Sequence, residues 1–171
     1  MAELIGISIL ALSHAQACVT FAPRAIEDIK LADEIFIGDV ARYRVKGCRK
    51  HAESLDCYAL IDVRVRKTIF GKSRRHWTLY WWNSTFGVPE EWGRAKTLIF
   101  AGRWITTAAP PLRGGSATQF PSRRPDLLQV LQAPCSEPFF LPMDEETIAK
   151  VRAVIDEKAQ TRDESENDRD H

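Results

Sequence analysis

The side chains that enzymes use for acid–base or nucleophilic chemistry are sparse in this sequence. Downstream of residue 17 the histidines are His51, His76 and His171, which are widely separated along the chain. No serine lies in a G-x-S-x-G pattern, so the sequence offers no nucleophile elbow. Phosphate-binding and dinucleotide-binding motifs are also absent from it. We therefore predict a protein that is not an enzyme, has no catalytic residues and holds no cofactor.

Two weaker catalytic candidates lie close together in the sequence. Ser84 falls in the turn-rich segment 83–89, where a hydroxyl more often bonds to the backbone of the turn. Glu90 and Glu91 are neighbouring carboxylates, but adjacent side chains usually diverge, which favours a solvated turn over a catalytic pair. A hydrolase is therefore the third hypothesis, behind two kinds of binding protein.

Aromatic and basic side chains alternate with apolar ones along two segments, 57–69 and 75–83. Alternate residues of a strand lie on opposite faces. The candidate ligand or partner surface on the outer faces consists of Arg64, Arg66, Tyr80, Trp82 and Asn83. If the two outer faces lie side by side, they form a stacking and charged surface. The alternative is that a helix covers Tyr80 and Trp82 and makes them part of the core.

Five segments with strand-like alternation or composition must position that surface. They are residues 32–45, 57–69, 75–83, 97–101 and 127–131, of which the last is short enough to be a helical turn instead. The first segment contains Gly38, and a glycine within an apolar strand usually marks a bend or a bulge. A long, bent first strand can pair with both halves of a small closed sheet. We predict a mainly β fold, a five-stranded OB-type closed barrel with flanking helices.

Two helices are expected to flank the barrel. The first is short, Pro23–Leu31, with proline suited to an early helical position. The second is amphipathic, Met143–Lys158, with Asp144 as its N-cap. Its apolar face, which we expect to pack on the barrel, consists of Ile148, Val151, Val154 and Ile155. Residues 106–124 are rich in Pro, Gly, Ser and Thr and predict a long surface loop.

The N-terminal residues 1–17 resemble a secretory signal peptide. Leu4–Leu12 is an apolar run too short to span a bilayer, and Ala15-Gln16-Ala17 places cleavage before Cys18. The first residues carry an acidic and no basic side chain, so the alternatives are an upstream start or a buried helix. A lipid anchor on Cys18 is the poorer fit, because Ala15 replaces the expected leucine. The sequence therefore predicts a periplasmic or extracellular protein without a transmembrane segment.

Export would make the four cysteines a disulfide framework with three conceivable pairings. Cys48 and Cys57 flank a polar loop, so a bridge between them would staple a hairpin. Cys18 and Cys135 would then join the new N-terminus to the end of the barrel. The alternative is zinc binding by His51 with Cys48 and Cys57, but a fourth ligand at zinc-finger spacing is missing. We therefore expect disulfides and no metal.

The formal net charge of +1 hides an uneven distribution. Residues 18–155 contain 21 basic and 15 acidic side chains, whereas residues 156–171 contain seven acidic and three basic ones. A basic body could attract an anionic partner, although scattered basic residues are also typical of a solvated surface. We predict a barrel domain at 18–155 followed by a disordered charged tail at 156–171.

Several of these features together resemble the netrin-like domain shared by tissue inhibitors of metalloproteinases. The matching pieces, which span residues 18 to about 155, are Cys18, the segment 32–40, the alternating strand after Cys57, the loop near Gly87, residues 97–101 and Cys135. Some bacterial exported proteins of no assigned function are similar, notably in the loop 83–87. The resemblance implies the barrel fold and, if inhibition survives, a reactive edge at Cys18, Val19 and Thr20. Thr20 replaces the second cysteine of the inhibitors' Cys-x-Cys pair, so the fold is carried over and the inhibitory activity is not.

Two binding functions follow from these observations. The first is a secreted or periplasmic binding module with a protein partner of unidentified nature. The alternative is a barrel that binds a carbohydrate or a polyanion through Tyr80, Trp82 and nearby arginines. An exported protein rarely meets nucleic acid, so no nucleic-acid partner is expected.

Overall fold

A mainly β architecture is seen in the computed structural model, which describes residues 23–48, 57–82, 87–105, 122–132 and 136–167. A 3-10 helix, Ile26–Leu31, precedes the first strand, and helix α1, Glu145–Asn167, follows the last one. The strands in these ranges are β1 (Glu34–Lys46), β2 (Tyr58–Phe70), β3 (His76–Trp82), β4 (Thr97–Arg103), β5 (Leu128–Val130) and β6 (Phe140–Pro142).

Strands β1 to β5 form the closed barrel that the sequence predicts. They pair in the order β1-β2-β3-β5-β4, and β4 pairs back onto β1. The contact between β3 and β5 is parallel, while the other pairings are antiparallel. This closed order is that of an OB-type barrel. The sequence does not predict β6, which pairs with β4 from Leu98 to Phe100 and lengthens the pairing along that edge.

Strand β1 bends where the sequence places a glycine. Its first half, Glu34 to Asp39, pairs with β4 while β2 runs along its other edge. The register with β2 shifts between Ile37 and Gly38. A Cβ atom on Gly38 would meet the Val63 side chain and lie 2.9 Å from the carbonyl oxygen of Arg64. The two strands approach so closely here that only glycine fits.

Two apolar clusters form around the barrel wall. The interior cluster contains the large side chains of β3 and β4 that point inwards, including Trp77, Leu79, Trp81 and Phe100. The rings of Trp77 and Phe100 stack on Phe36. Those of Trp81 and Phe100 lie edge-on to Phe140. The second cluster lies outside the wall, where Val151 and Ile155 of α1 pack with Ile29 and residues of β1 and β4. The barrel interior is therefore filled by side chains.

Both predicted helices are present, with different bounds. The N-terminal one is a 3-10 helix limited to Ile26–Leu31. Helix α1 starts as expected, because a carboxylate oxygen of Asp144 accepts the Thr147 backbone N–H at 2.7 Å. It continues to Asn167, into the segment for which the sequence predicts disorder. Helical hydrogen bonds are local and do not require an apolar face, so charged residues can extend a helix that packing has already nucleated.

Gly38→Ala should destabilise the protein by about 1–3 kcal/mol, the usual cost of overpacking a filled site. The methyl group would force β1 and β2 apart at the bend. Urea denaturation monitored by tryptophan fluorescence would measure the change. Gly93→Ala is the matched control, since its Cβ meets nothing within 4 Å, and we expect it to stay within about 0.5 kcal/mol of wild type. Equal effects of both substitutions would contradict the role assigned to Gly38.

Candidate functional site

The outer surface of the barrel beside the Cys48–Cys57 bridge carries a cluster of rings and polar side chains. Tyr58 pairs with Trp82, and Tyr80 with Leu60, across β2 and β3. Since Leu79 and Trp81 belong to the interior cluster, their neighbours Tyr80 and Trp82 face outwards. The surface, named here the tyrosine–arginine face, consists of Tyr58, Tyr80, Trp82, Arg103, Arg123, Arg124 and Gln129.

Among the described residues, an arginine lies over one ring of this face. The guanidinium of Arg123 lies 4.7 Å from the centre of a Trp82 ring. Tyr80 is only 1% exposed, and its ring lies 5.2 Å from that of Tyr58. Burial raises the pKa of the Tyr80 hydroxyl against the opposing charges of Arg123 and Arg124. Tyr80 is therefore buried and does not form an exposed stacking surface.

Polar atoms without a partner align across three strands of this face. Tyr80 pairs with Gln129 of β5, and Gln129 pairs with Arg103 of β4. Paired residues project to the same side of a sheet. Among the described residues, the Tyr80 hydroxyl, Gln129 Oε1 and Arg103 Nη1 are each buried and have no hydrogen-bond partner. These three residues are named here the polar row.

Arg64 and Arg66, predicted to share a surface with Tyr80 and Trp82, lie at the other end of the same strands. Arg64 pairs with His76, which is four residues from Tyr80 along β3 and therefore about 13 Å away. Arg66 Nε donates to Asp39 Oδ2 at 2.9 Å, and Arg64 Nη2 lies 3.5 Å from the same oxygen. The structure thus brings Tyr80 and Trp82 together but does not bring these arginines to them.

The remaining predicted site residues divide between described and undescribed parts of the chain. A disulfide joins Cys48 to Cys57, as the sequence predicts. Cys18, Val19, Thr20, Asn83 and Cys135 lie outside the described residues, so the second bridge and the N-terminal edge stay predictions.

Sequence reasoning missed five members of the tyrosine–arginine face: Tyr58, Arg103, Arg123, Arg124 and Gln129. Tyr58 lies at the start of the predicted strand 57–69, and Gln129 also carried a usable signal. Gln129 is the polar middle residue of the short apolar run Leu128-Gln129-Val130, which in a strand directs it away from its neighbours.

Asp39 is a buried carboxylate with a lowered pKa. It is 3% exposed, and Thr97 donates its hydroxyl to Oδ1 at 2.6 Å. The hydrogen bonds from Arg66 and Thr97 hold the pKa of Asp39 at about 2, below its ordinary value of 3.8. Its two oxygens are thus used to tie β1 to β2 and β4, which is a structural role.

No catalytic arrangement occurs among the described residues. Asp62 is engaged by Arg44 and Thr78 at 2.7 and 2.8 Å. Glu90 and Glu91 are exposed on an irregular segment. Within the described ranges, no group of three His, Cys, Asp or Glu side chains is placed to hold a metal ion. Neither described helix is long and apolar enough to cross a membrane.

Comparisons with protein-family models and with curated proteins found no match for this sequence.

Asp39→Asn should reduce the fall in the free energy of unfolding that wild type shows as the pH becomes acidic. A carboxylate with a depressed folded pKa stabilises the fold above its unfolded pKa and loses that contribution as pH falls. For Asp39 the loss runs from about pH 4 down to about pH 2. Urea midpoints measured at several pH values between 2 and 6 would show it. Thr97→Val should give an intermediate profile, and an unchanged acid limb in Asp39→Asn would refute the assignment.

Proposed function

We propose that the protein is an exported, non-catalytic binding module that uses the outer surface of its OB-type barrel. The observation that carries this proposal is the tyrosine–arginine face, since the barrel interior is filled by side chains. Aromatic rings and guanidinium groups on one face are suited to recognition of extended ligands through stacking and charge.

The ligand that this face supports best is an anionic oligosaccharide or a similar polyanion. Three of its seven residues are arginines, and one of them, Arg124, is engaged with the carboxylate of Asp126 through contacts of 3.0 and 2.8 Å. The three guanidinium groups outnumber that carboxylate beside the rings. Such local charge concentrates anions at a surface.

A protein partner is the second candidate, supported by the resemblance to netrin-like domains. That resemblance is compatible with the closed five-stranded barrel and the Cys48–Cys57 bridge. If the partner is a protein, the N-terminal edge Cys18, Val19 and Thr20 would contact it. Recovery of one periplasmic or extracellular protein at high salt by the chain with that edge, and loss of this recovery when the edge is removed, would favour this candidate over a polyanion.

Export is supported by the bridge between Cys48 and Cys57, because disulfides persist mainly in oxidising compartments. We expect the protein secreted by a bacterial host to begin at Cys18. Its intact mass without reductant should be lower than the reduced mass by the four hydrogens of two bridges. A mass that retains residues 1–17, or an added lipid, would contradict the proposed processing.

The polyanion proposal predicts salt-dependent retention on immobilised heparin. Arg123→Gln/Arg124→Gln should elute at clearly lower salt than wild type, because two positive charges leave the tyrosine–arginine face. The matched control is Lys150→Gln/Arg152→Gln, which removes the same charge from exposed positions of α1 and should elute close to wild type. Equal losses in both variants would mean that net charge alone causes retention. Absence of retention at low salt would refute the polyanion proposal.

A further inference from the structure

We infer that Arg64 and Arg66, named here the arginine pair, form a second subsite that binds an acidic group of the oligosaccharide on the outer surface of β2. This inference rests on the proposed function and extends it, because it specifies where an anionic chain continues beyond the tyrosine–arginine face. The recognised group is a sulfate or a carboxylate carried by a sugar.

The arginine pair is open to solvent. The side chain of Arg64 is 64% exposed and that of Arg66 is 55% exposed, whereas the side chain of Asp39, which both contact, is 4% exposed. An acidic group that approaches this surface therefore reaches guanidinium N–H groups before it reaches the buried carboxylate.

Asp39 anchors the arginine pair without using all of its donors. Arg66 Nε donates to Asp39 Oδ2 at 2.9 Å, and Arg64 Nη2 lies 3.5 Å from the same oxygen. Within the described ranges, these contacts are the only hydrogen bonds or ion pairs of the two side chains. Both Nη groups of Arg66, and the Nε and Nη1 groups of Arg64, are thus left to donate to an oxyanion. Anchoring two flexible side chains in advance lowers the entropic cost of binding.

Positive charge is in excess around the arginine pair. The contact of Arg64 with the carboxylate is largely exposed, and exposed ion pairs contribute little to stability, so a role in the fold alone does not account for it. Residues 39–44 and 62–66 contain four arginines and two aspartates. The second aspartate, Asp62, is already engaged by Arg44, and exposed Arg42 lies opposite Asp62. This local excess attracts an anion and not a neutral sugar.

The arginine pair and the tyrosine–arginine face lie on the same outer surface of β2 and β3. Arg64 pairs with His76, which is about 13 Å from Tyr80 along β3. The pairing of Asp62 with Thr78 lies between them. There Asp62 accepts the Thr78 hydroxyl at 2.8 Å, and an arginine of β1 balances its charge. An extended anionic chain that follows the strands can therefore place an acidic group at each end.

Modification by phenylglyoxal, which reacts with accessible guanidinium groups, tests the subsite on the wild-type full chain. The chain is treated at low salt alone, with a heparin-derived hexasaccharide, with hexagalacturonate or with neutral maltohexaose, and modified arginines are located by mass spectrometry. We expect an acidic probe, but not maltohexaose, to reduce modification of Arg64 and Arg66 several-fold. Exposed Arg152 of α1 should react as before. The more protective acidic probe identifies sulfate or carboxylate as the recognised group.

Arg64→Lys/Arg66→Lys keeps the charge of the pair and removes its planar donor groups. Affinity for the protective probe, measured by calorimetry at low salt, should fall about ten-fold, as expected for loss of hydrogen bonds between charged groups. The thermal unfolding midpoint should stay close to that of wild type, because ammonium groups can still face Asp39. Arg152→Lys is the matched control, since it makes the same exchange at an exposed position, and it should bind as wild type does.

Equal modification of the arginine pair with and without an acidic probe that calorimetry shows to be bound would refute the subsite while the proposed function stands. Unchanged affinity of a folded Arg64→Lys/Arg66→Lys variant would do the same, and so would equal protection of Arg152, because net charge alone would then explain binding. If the variant does not fold, the wild-type protection experiment decides. If neither acidic probe binds wild type, the proposed function itself fails and the subsite fails with it.

Discussion

Closure of the sheet depends on one strand that is hydrogen-bonded along both edges. Strand β1 pairs with β4 through Glu34 to Asp39 while β2 runs along its whole length. A strand in this position must curve sharply, and the curvature brings the β2 backbone too close for any side chain at Gly38. The next residue, Asp39, then accepts hydrogen bonds from Arg66 of β2 and Thr97 of β4. A steric requirement and an electrostatic one therefore act at adjacent residues, and together they hold the three strands around the point of closure.

The sequence was informative where the signal is local. Alternation along β2 separates Ile61 and Val63 from Asp62 and Arg64, and the structure buries the first pair inside the barrel. Gly38 and Asp144 were recognisable because bends and helix caps use few residue types. Strand β6 was missed because it is only three residues long and ends in Pro142, and such a segment looks like a loop. It forms because β4 offers an unpaired edge and because Phe140 packs on Trp81 at the barrel end, with ring centres 5.0 Å apart.

The candidate site was harder to predict because it depends on register and on distant segments. Alternation assigns Arg64 and Tyr80 correctly to outer faces, but it does not specify that Arg64 pairs with His76. The turn that contains Gly71 sets this register, and it separates the arginines of β2 from the rings of β3. Arg123 and Gln129 reach the same rings only through the parallel pairing of β3 with β5. A contact between segments about fifty residues apart leaves no periodic trace in the sequence.

The position of the polar row is consistent with how the barrel is stabilised. The pairing of β3 with β5 is short, with Leu79 and Tyr80 opposite Leu128 and Gln129. On the inner side Leu79 and Leu128 are fully buried, so apolar packing holds this seam closed from within. Tyr80 and Gln129 project from the opposite side of the same pairing. At this seam the side chains that close the barrel and the polar side chains therefore point in opposite directions.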